Sequence, residues 1–203
     1  MQTENIRRQA LWHCLAGILL TVSALAAESA EDTMILIDDR QSGDLQSSLG
    51  TQWRLISDGV MGGVSRGTLA LDRRKGRDCL RLAGEVSTEN NGGFIQAALP
   101  LAPSGVLDAS AWSGVELDVF GNGEAYNVHF KTSRVWLPWQ HYRAAFMAAP
   151  GWHTVQVPFA EFEGYRIGAA FDPAKLERIG IAAYGRAFTA DLCIGRVAFY
   201  RAE

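Results

Sequence analysis

The sequence predicts an all-β chain folded as an antiparallel sandwich or barrel. Two observations carry this expectation. Helical periodicity is nearly absent after residue 26, and short runs of alternating apolar residues recur between Gly, Pro, Asn and Asp through the rest of the chain. With 203 residues, 48% of them hydrophobic, and charges of both signs, the chain can bury one sizeable core.

The first segment is of another kind. Arg7 and Arg8 precede an almost uninterrupted apolar run over residues 10–25, and Ala24-Leu25-Ala26 puts small residues around a cut before Ala27. This pattern predicts a cleavable signal peptide over residues 1–26 and a periplasmic or secreted protein, with an uncleaved membrane anchor as the alternative. Residues 27–203 then form a single domain. Its candidate strands are residues 34–37, 53–56, 67–71, 79–86, 93–98, 114–120, 126–131, 141–147, 152–157, 179–184 and 192–200. One short helix is expected over residues 172–177, where Asp172 can cap and Pro173 suits a first turn. Nothing in the sequence divides the domain or repeats.

Without residues 1–26 the chain carries 17 basic and 21 acidic side chains, a net charge of −4. That balance argues against nucleic acid as a partner. Cys79 and Cys193 are the cysteines left. In an oxidising compartment they can form a disulfide joining the first and last parts of the domain, and two separate buried thiols are an equally ordinary outcome.

Asn122-Gly123 is a strong local turn signal, since both residues tolerate positive φ. A hairpin there with Gly121 opposite Glu124 would place Val119 against Tyr126, Leu117 against Val128 and Val115 against Phe130, stacking the apolar side chains on one face. The other face would present Glu116, Asp118, Asn127, His129 and Lys131. A solvated outer surface and a binding face both fit such a row.

Residues 53–65 read W-R-L-I-S-D-G-V-M-G-G-V-S. Trp53 begins a short extended run, Ser57, Asp58 and Gly59 are turn chemistry, and Gly62 and Gly63 around Met61 permit a closely packed loop that ends at Ser65. No Lys-Ser/Thr pair or helix follows the glycines, so a phosphate cradle is not expected. Together with Gly92-Gly93-Phe94, the strand from Trp112, residues 142–146, residues 152–159 with Phe162 and the closing strand, this segment resembles the complex I intermediate-associated protein 30 family, whose mitochondrial member is an assembly factor for NADH:ubiquinone oxidoreductase. The residues of the D-G-V-M-G-G-x-S core themselves read as a structural turn, and the resemblance implies a galactose-binding-domain-like jelly-roll sandwich. It also implies an assembly role, although an exported chain would work in a different compartment from the mitochondrial relative.

Catalytic and metal chemistry find little support. His129, His141 and His153 are scattered along strands, without the tight ligand pairs that metal sites show, so neither metal nor cofactor is expected. No G-x-S-x-G occurs, and Ser57 and Ser65 have no assignable His partner. Glu116 and Asp118 are the pair that acid/base hydrolysis of a glycoside would need, and same-face carboxylates on a strand are also common without catalysis.

The aromatic residues make the better case. Trp136-Leu137-Pro138-Trp139 falls between two strands, where burial is least expected, with Arg134, Gln140, Tyr142 and Arg143 nearby. Flat rings there can stack on a sugar face, anchor a protein, or fold back over the sandwich edge. The sequence therefore predicts a non-catalytic binding module holding a carbohydrate or protein partner through Arg134 to Arg143 and the polar face. The alternatives are an assembly factor in peripheral contact with a membrane respiratory complex, and a glycoside hydrolase.

Overall fold

Alternation along the chain resolves into two antiparallel six-stranded sheets in a computed structural model that describes residues 34–202. The expected signal segment lies outside the described residues. In chain order the strands are β1 (Met34–Asp38), β2 (Arg54–Ser57), β3 (Arg66–Arg74), β4 (Arg77–Val86), β5 (Phe94–Pro100), β6 (Gly114–Phe120), β7 (Glu124–Thr132), β8 (His141–Ala148), β9 (His153–Pro158), β10 (Glu163–Tyr165), β11 (Leu176–Tyr184) and β12 (Phe188–Tyr200). The first sheet runs β3-β4-β12-β6-β9, with β1 added on the end of the long β12, and the second runs β10-β8-β7-β11-β5-β2.

Each predicted run is a strand. The missed one, β10, is three residues long and too short to show alternation. The expected helix contracts to a single 3₁₀ turn, Pro173–Lys175. Asp172 accepts from the Ala174 N–H as a cap should, but Leu176 already belongs to β11.

The Asn122-Gly123 hairpin is corrected. Strand β6 pairs with β12 and β9, whereas β7 pairs with β8 and β11, so the turn is a corner between the two sheets. Gly123 has the positive φ of 87° that the dipeptide suggests, yet its N–H donates to the Ala148 carbonyl at 2.8 Å and that of Gly121 to Ala149 at 3.1 Å. The end of β8 thereby holds the corner open. Alternation alone cannot separate the two outcomes, because Val115, Leu117 and Val119 meet Tyr126, Val128 and Phe130 in the core whether the strands lie side by side or face to face. The consequence is large: Glu116 and Asp118 lie on the outside of one sheet, and Asn127, His129 and Lys131 on the outside of the other.

Between the sheets, Phe130 stacks near Phe199 and Phe171, and Phe159 and Phe162 close the same cluster. Trp53 is 1% exposed, and its indole N–H is satisfied by Asp38, which Arg40 also clamps through its backbone N–H at 2.8 Å and Nε at 2.9 Å. Cys79 and Cys193, on neighbouring strands β4 and β12, are joined by a disulfide that closes 114 residues of chain.

The outer face of the first sheet is covered by ion pairs. Glu116 takes Arg196 and the Gln156 amide, and Asp118 takes Arg77 at 2.8 Å and the Thr154 hydroxyl at 2.7 Å. Arg74 and Arg81 share Asp191. Glu116 and Asp118, the pair a hydrolase would need, are thus engaged by structural partners, on the far side of the sandwich from the groove described next.

Candidate functional site

The second sheet carries a groove of about 790 Å³ on its outer face, within the range of small-molecule sites. Its first wall is the loop that begins at Asp58. Ser57 caps a 3₁₀ turn, Asp58–Met61, and Gly62 ends it in the left-handed region at φ 89°. The Asp58 carboxylate is fully buried. It accepts from the Ser65 N–H at 3.0 Å, the Ser65 hydroxyl, the Gly93 N–H at 2.6 Å and the Phe94 N–H at 3.2 Å. A Cβ on Gly63 would sit 2.5 Å from Asp58 Oδ1, and one on Gly92 2.5 Å from Oδ2, so both glycines are there to let the backbone close on the acid. Burial pushes the Asp58 carboxyl upward, but the hydrogen bonds from Ser65, Gly93 and Phe94 outweigh it and hold the group below the ordinary range. The loop is tied down at its base by these bonds. It leaves Val60 71% exposed and Met61 42% exposed at the groove's edge.

The opposite wall is the aromatic loop. Trp139 and Pro138 face the groove, joined by Tyr165 from β10 and Tyr184 from the end of β11. Gln140 pins this loop, accepting from the Leu137 N–H at 3.2 Å and donating to the Arg166 carbonyl at 2.8 Å. Lys131 supports it from below, donating to the carbonyls of Pro138 at 2.8 Å and Leu137 at 3.3 Å.

The floor is polar. His129 and His141 stack with ring centroids 4.1 Å apart, and Tyr184 stands edge-on to both. His141 Nδ1 donates to the Trp139 carbonyl at 2.9 Å, and His129 Nδ1 meets Gln96 Oε1 at 3.3 Å. Gln96 reaches His129 by crossing over Gly180 in β11, where any Cβ would collide with the Gln96 amide. Both Nε2 atoms are buried and have no protein partner. Burial holds both imidazoles neutral; His129, next to His141 and Arg143, lies well below the ordinary value, and His141 falls to about 4 as burial, Arg143 and Lys131 outweigh the bond to the Trp139 carbonyl. Lys131 is drawn down to about 8, first by burial and then by Arg178. Among the described residues no group of three or more His, Cys, Asp or Glu is placed to hold a metal ion.

Of the residues predicted to bind, the groove collects Trp139, His129 and Lys131. Arg143 lies beside it, with its guanidinium over Tyr165 and Tyr184 at 5.0 and 5.3 Å. Trp136 is 87% exposed outside the lining, Arg134 pairs with Asp172 at 3.4 Å, and Gln140 is spent on the loop. Asn127 shares the outer face but lies outside the lining. Tyr142 is removed from the surface: it is 1% exposed, packs against Phe171 and donates to the Ala169 and Ala170 carbonyls. Parity along β8 explains this, since Tyr142 alternates inward while His141 and Arg143 face outward. Sequence reasoning missed Gln96, His141, Tyr165, Arg166, Arg178 and Tyr184. The glycine inside β11 was the one signal available, because a glycine in a strand interior marks a close approach.

The profile of the complex I intermediate-associated protein 30 family matches residues 23–193. No characterised protein sequence matches the chain. Among solved structures the fold is similar to the family 11 carbohydrate-binding module of a cellulosomal cellulase of Clostridium thermocellum, at a TM-score of 0.65 and 15% identity over 83% of this chain and 95% of that one. A family 11 module from the same organism in complex with a β-1,3-1,4-mixed-linked tetrasaccharide aligns at a TM-score of 0.62 and 15% identity, over 83% and 96%. The family 30 module of another cellulosomal cellulase of that organism aligns at 0.52 and 17% identity, over 70% and 92%. At these identities the likeness establishes the jelly-roll sandwich.

Two outcomes follow from the geometry. Asp58→Ala strands the Ser65, Gly93 and Phe94 N–H groups around a buried hole and should destabilise the protein by about 3 kcal/mol or more, as read from the denaturation midpoint. A loss under about 1 kcal/mol would contradict the structural role given to the acid. The histidines set a separate acid sensitivity. Their folded values lie below the unfolded value near 6.5, so the unfolded chain binds more protons and stability falls as pH drops from about 6.5 toward 4, His141 alone costing about 2 kcal/mol by about pH 5. Asp58, with a lowered value, loses its contribution only below about pH 4. Thermal melts from about pH 7 to 5 should show this slope, and His129→Gln/His141→Gln should flatten it.

Proposed function

We propose that this chain, which belongs to the complex I intermediate-associated protein 30 family, is a non-catalytic binding module that holds an oligosaccharide in the groove of its second sheet. The observation that carries the reading is the placement of Trp139, Tyr165 and Tyr184 around a polar floor. An aromatic ring offers a flat apolar surface to the C–H face of a sugar, while hydroxyl groups at the ring's edge need donors and acceptors. Gln96, Lys131 and Arg178 supply polar groups for those hydroxyls. Family and fold both fit a binding module. The carbohydrate-binding modules of the same fold support the choice of ligand, one of them holding a mixed-linked tetrasaccharide. The absence of catalysis is supported by the ion pairs that occupy Glu116 and Asp118.

We place the module outside the cytoplasm. The apolar run with its small-residue cut in the first 26 residues supports export, and a disulfide between Cys79 and Cys193 suits an oxidising compartment.

Family membership favours one other reading, an assembly factor for a membrane respiratory complex, for which the exposed Trp136 would be a protein contact.

Tryptophan fluorescence titrated with a panel of oligosaccharides, the mixed-linked tetrasaccharide included, tests the first reading. A saturable change is expected for at least one sugar, weakened about tenfold or more by Trp139→Ala, which corresponds to about 1.4 kcal/mol of lost stacking. Binding that Trp139→Ala leaves intact would move the site elsewhere. For the second reading, membranes from cells lacking the gene should show slowed NADH oxidation and an incomplete complex. Unchanged activity and complex size would exclude it.

A further inference from the structure

Charge is distributed unevenly over the two outer faces. On the first sheet Arg74, Arg77, Arg81 and Arg196 each sit on an aspartate or glutamate. In the groove the positive groups Lys131, Arg166 and Arg178 line the surface, no Asp or Glu lines it, and none of the three lies within 4.0 Å of a carboxylate among the described residues. This is the reverse of what a chain with more acidic than basic side chains would place there by chance.

Two of these cations are held against each other. Lys131 and Arg178 are directly opposite partners on β7 and β11, an arrangement of like charges that costs stability on a sheet. Both are partly buried, which weakens their hydration and strengthens their repulsion. Glu177, next along β11, offsets only part of this at Lys131, and Arg54 adds further positive charge beside Arg178. Lys131 spends two N–H groups on the loop carbonyls and keeps a third. Arg178 makes no hydrogen bond to a protein acceptor among the described residues. Arg166 adds a third charge at the rim, with its guanidinium over Tyr165 at 5.4 Å. A carboxylate or sulfate set between Lys131 and Arg178 would relieve the repulsion, and a guanidinium can take such a group with two parallel N–H donors. A neutral sugar would leave the repulsion standing.

We infer that the groove selects acidic saccharides, carboxylated or sulfated, through Lys131 and Arg178 on its floor. This rests on the groove being the saccharide site. Stacking on Trp139 and Tyr165 provides affinity for any sugar ring, and the cation pair sets the preference among them. The ligand class therefore differs from the neutral tetrasaccharide bound by the structurally similar module.

Calorimetric titration of the purified full chain tests this, with three probes: the neutral mixed-linked tetrasaccharide, a tetragalacturonate and a sulfated galactan tetrasaccharide. At least one acidic probe should bind about tenfold more tightly than the neutral one, and its affinity should fall several-fold as salt rises from about 20 to about 200 mM. Lys131→Met and Arg178→Met should each cost the acidic probe about tenfold more than they cost the neutral probe, which loses only the donor or loop support that either side chain gives to any sugar. Lys75→Asn, which removes a charge from the distant β3–β4 turn, should change neither. If either groove variant fails to fold, the salt dependence and the probe ratio of the unaltered protein decide the matter. Equal affinity for neutral and acidic probes, or acidic binding untouched by both groove substitutions, would overturn the preference and leave the saccharide site standing. Failure of every probe to bind would overturn both.

Discussion

A single buried carboxylate organises the mouth of this sandwich. Asp58 lies at the junction where the chain leaves β2 in the second sheet and enters β3 in the first, and it gathers N–H groups from Ser65, Gly93 and Phe94 onto two oxygens. Ser65 extends the tie, since its hydroxyl also accepts from the Ser87 N–H at 2.9 Å just after β4. A buried charge is tolerable only when its acceptor sites are filled, and here backbone donors from separate segments fill them. Gly63 and Gly92 are the steric counterpart, because any side chain at either position would occupy the space of the carboxylate. The loop that results is rigid at its base and apolar at its tip, and the tip becomes a wall of the groove.

The two outer faces have divided roles. The first sheet neutralises its charges internally, with carboxylate and guanidinium groups alternating across β3, β4, β6 and β12. The second sheet gathers aromatic rings, neutral imidazoles and uncompensated cations around one concavity. A surface that satisfies itself has nothing left for a ligand. One that leaves donors, acceptors and ring faces unspent carries a standing free-energy cost that a ligand can offset.

How much of the site was legible in the sequence varies residue by residue. Trp139 and Lys131 stood out because an aromatic in a loop and a cation on a polar row are local signals. Tyr142 carried the same kind of signal and proved to be core, because one step along β8 reverses the face. Tyr165 and Tyr184 were hidden by their distance from the loop in sequence. Gln96 was hidden more deeply, since its reach to His129 depends on Gly180 lying between them on a third strand. The division of Glu116 and Asp118 from His129 depended on whether Asn122-Gly123 folds as a hairpin or a corner, and the hydrogen bonds from Gly121 and Gly123 to the end of β8 decide that.

By itself the sequence determined the strands, the burial parity along most of them, the turn chemistry around Asp58 and the family, because period-two alternation and turn residues act within a few positions of one another. The tertiary structure decided which strands are neighbours, and therefore which side chains share a face. Pairing partners are set by contacts far apart along the chain, and a sandwich with two buried faces satisfies the same alternation in more than one topology. The groove belongs to this second kind of information. Its walls come from the 58–61 turn, the loop before β8 and strand β10, which meet only when the second sheet has closed.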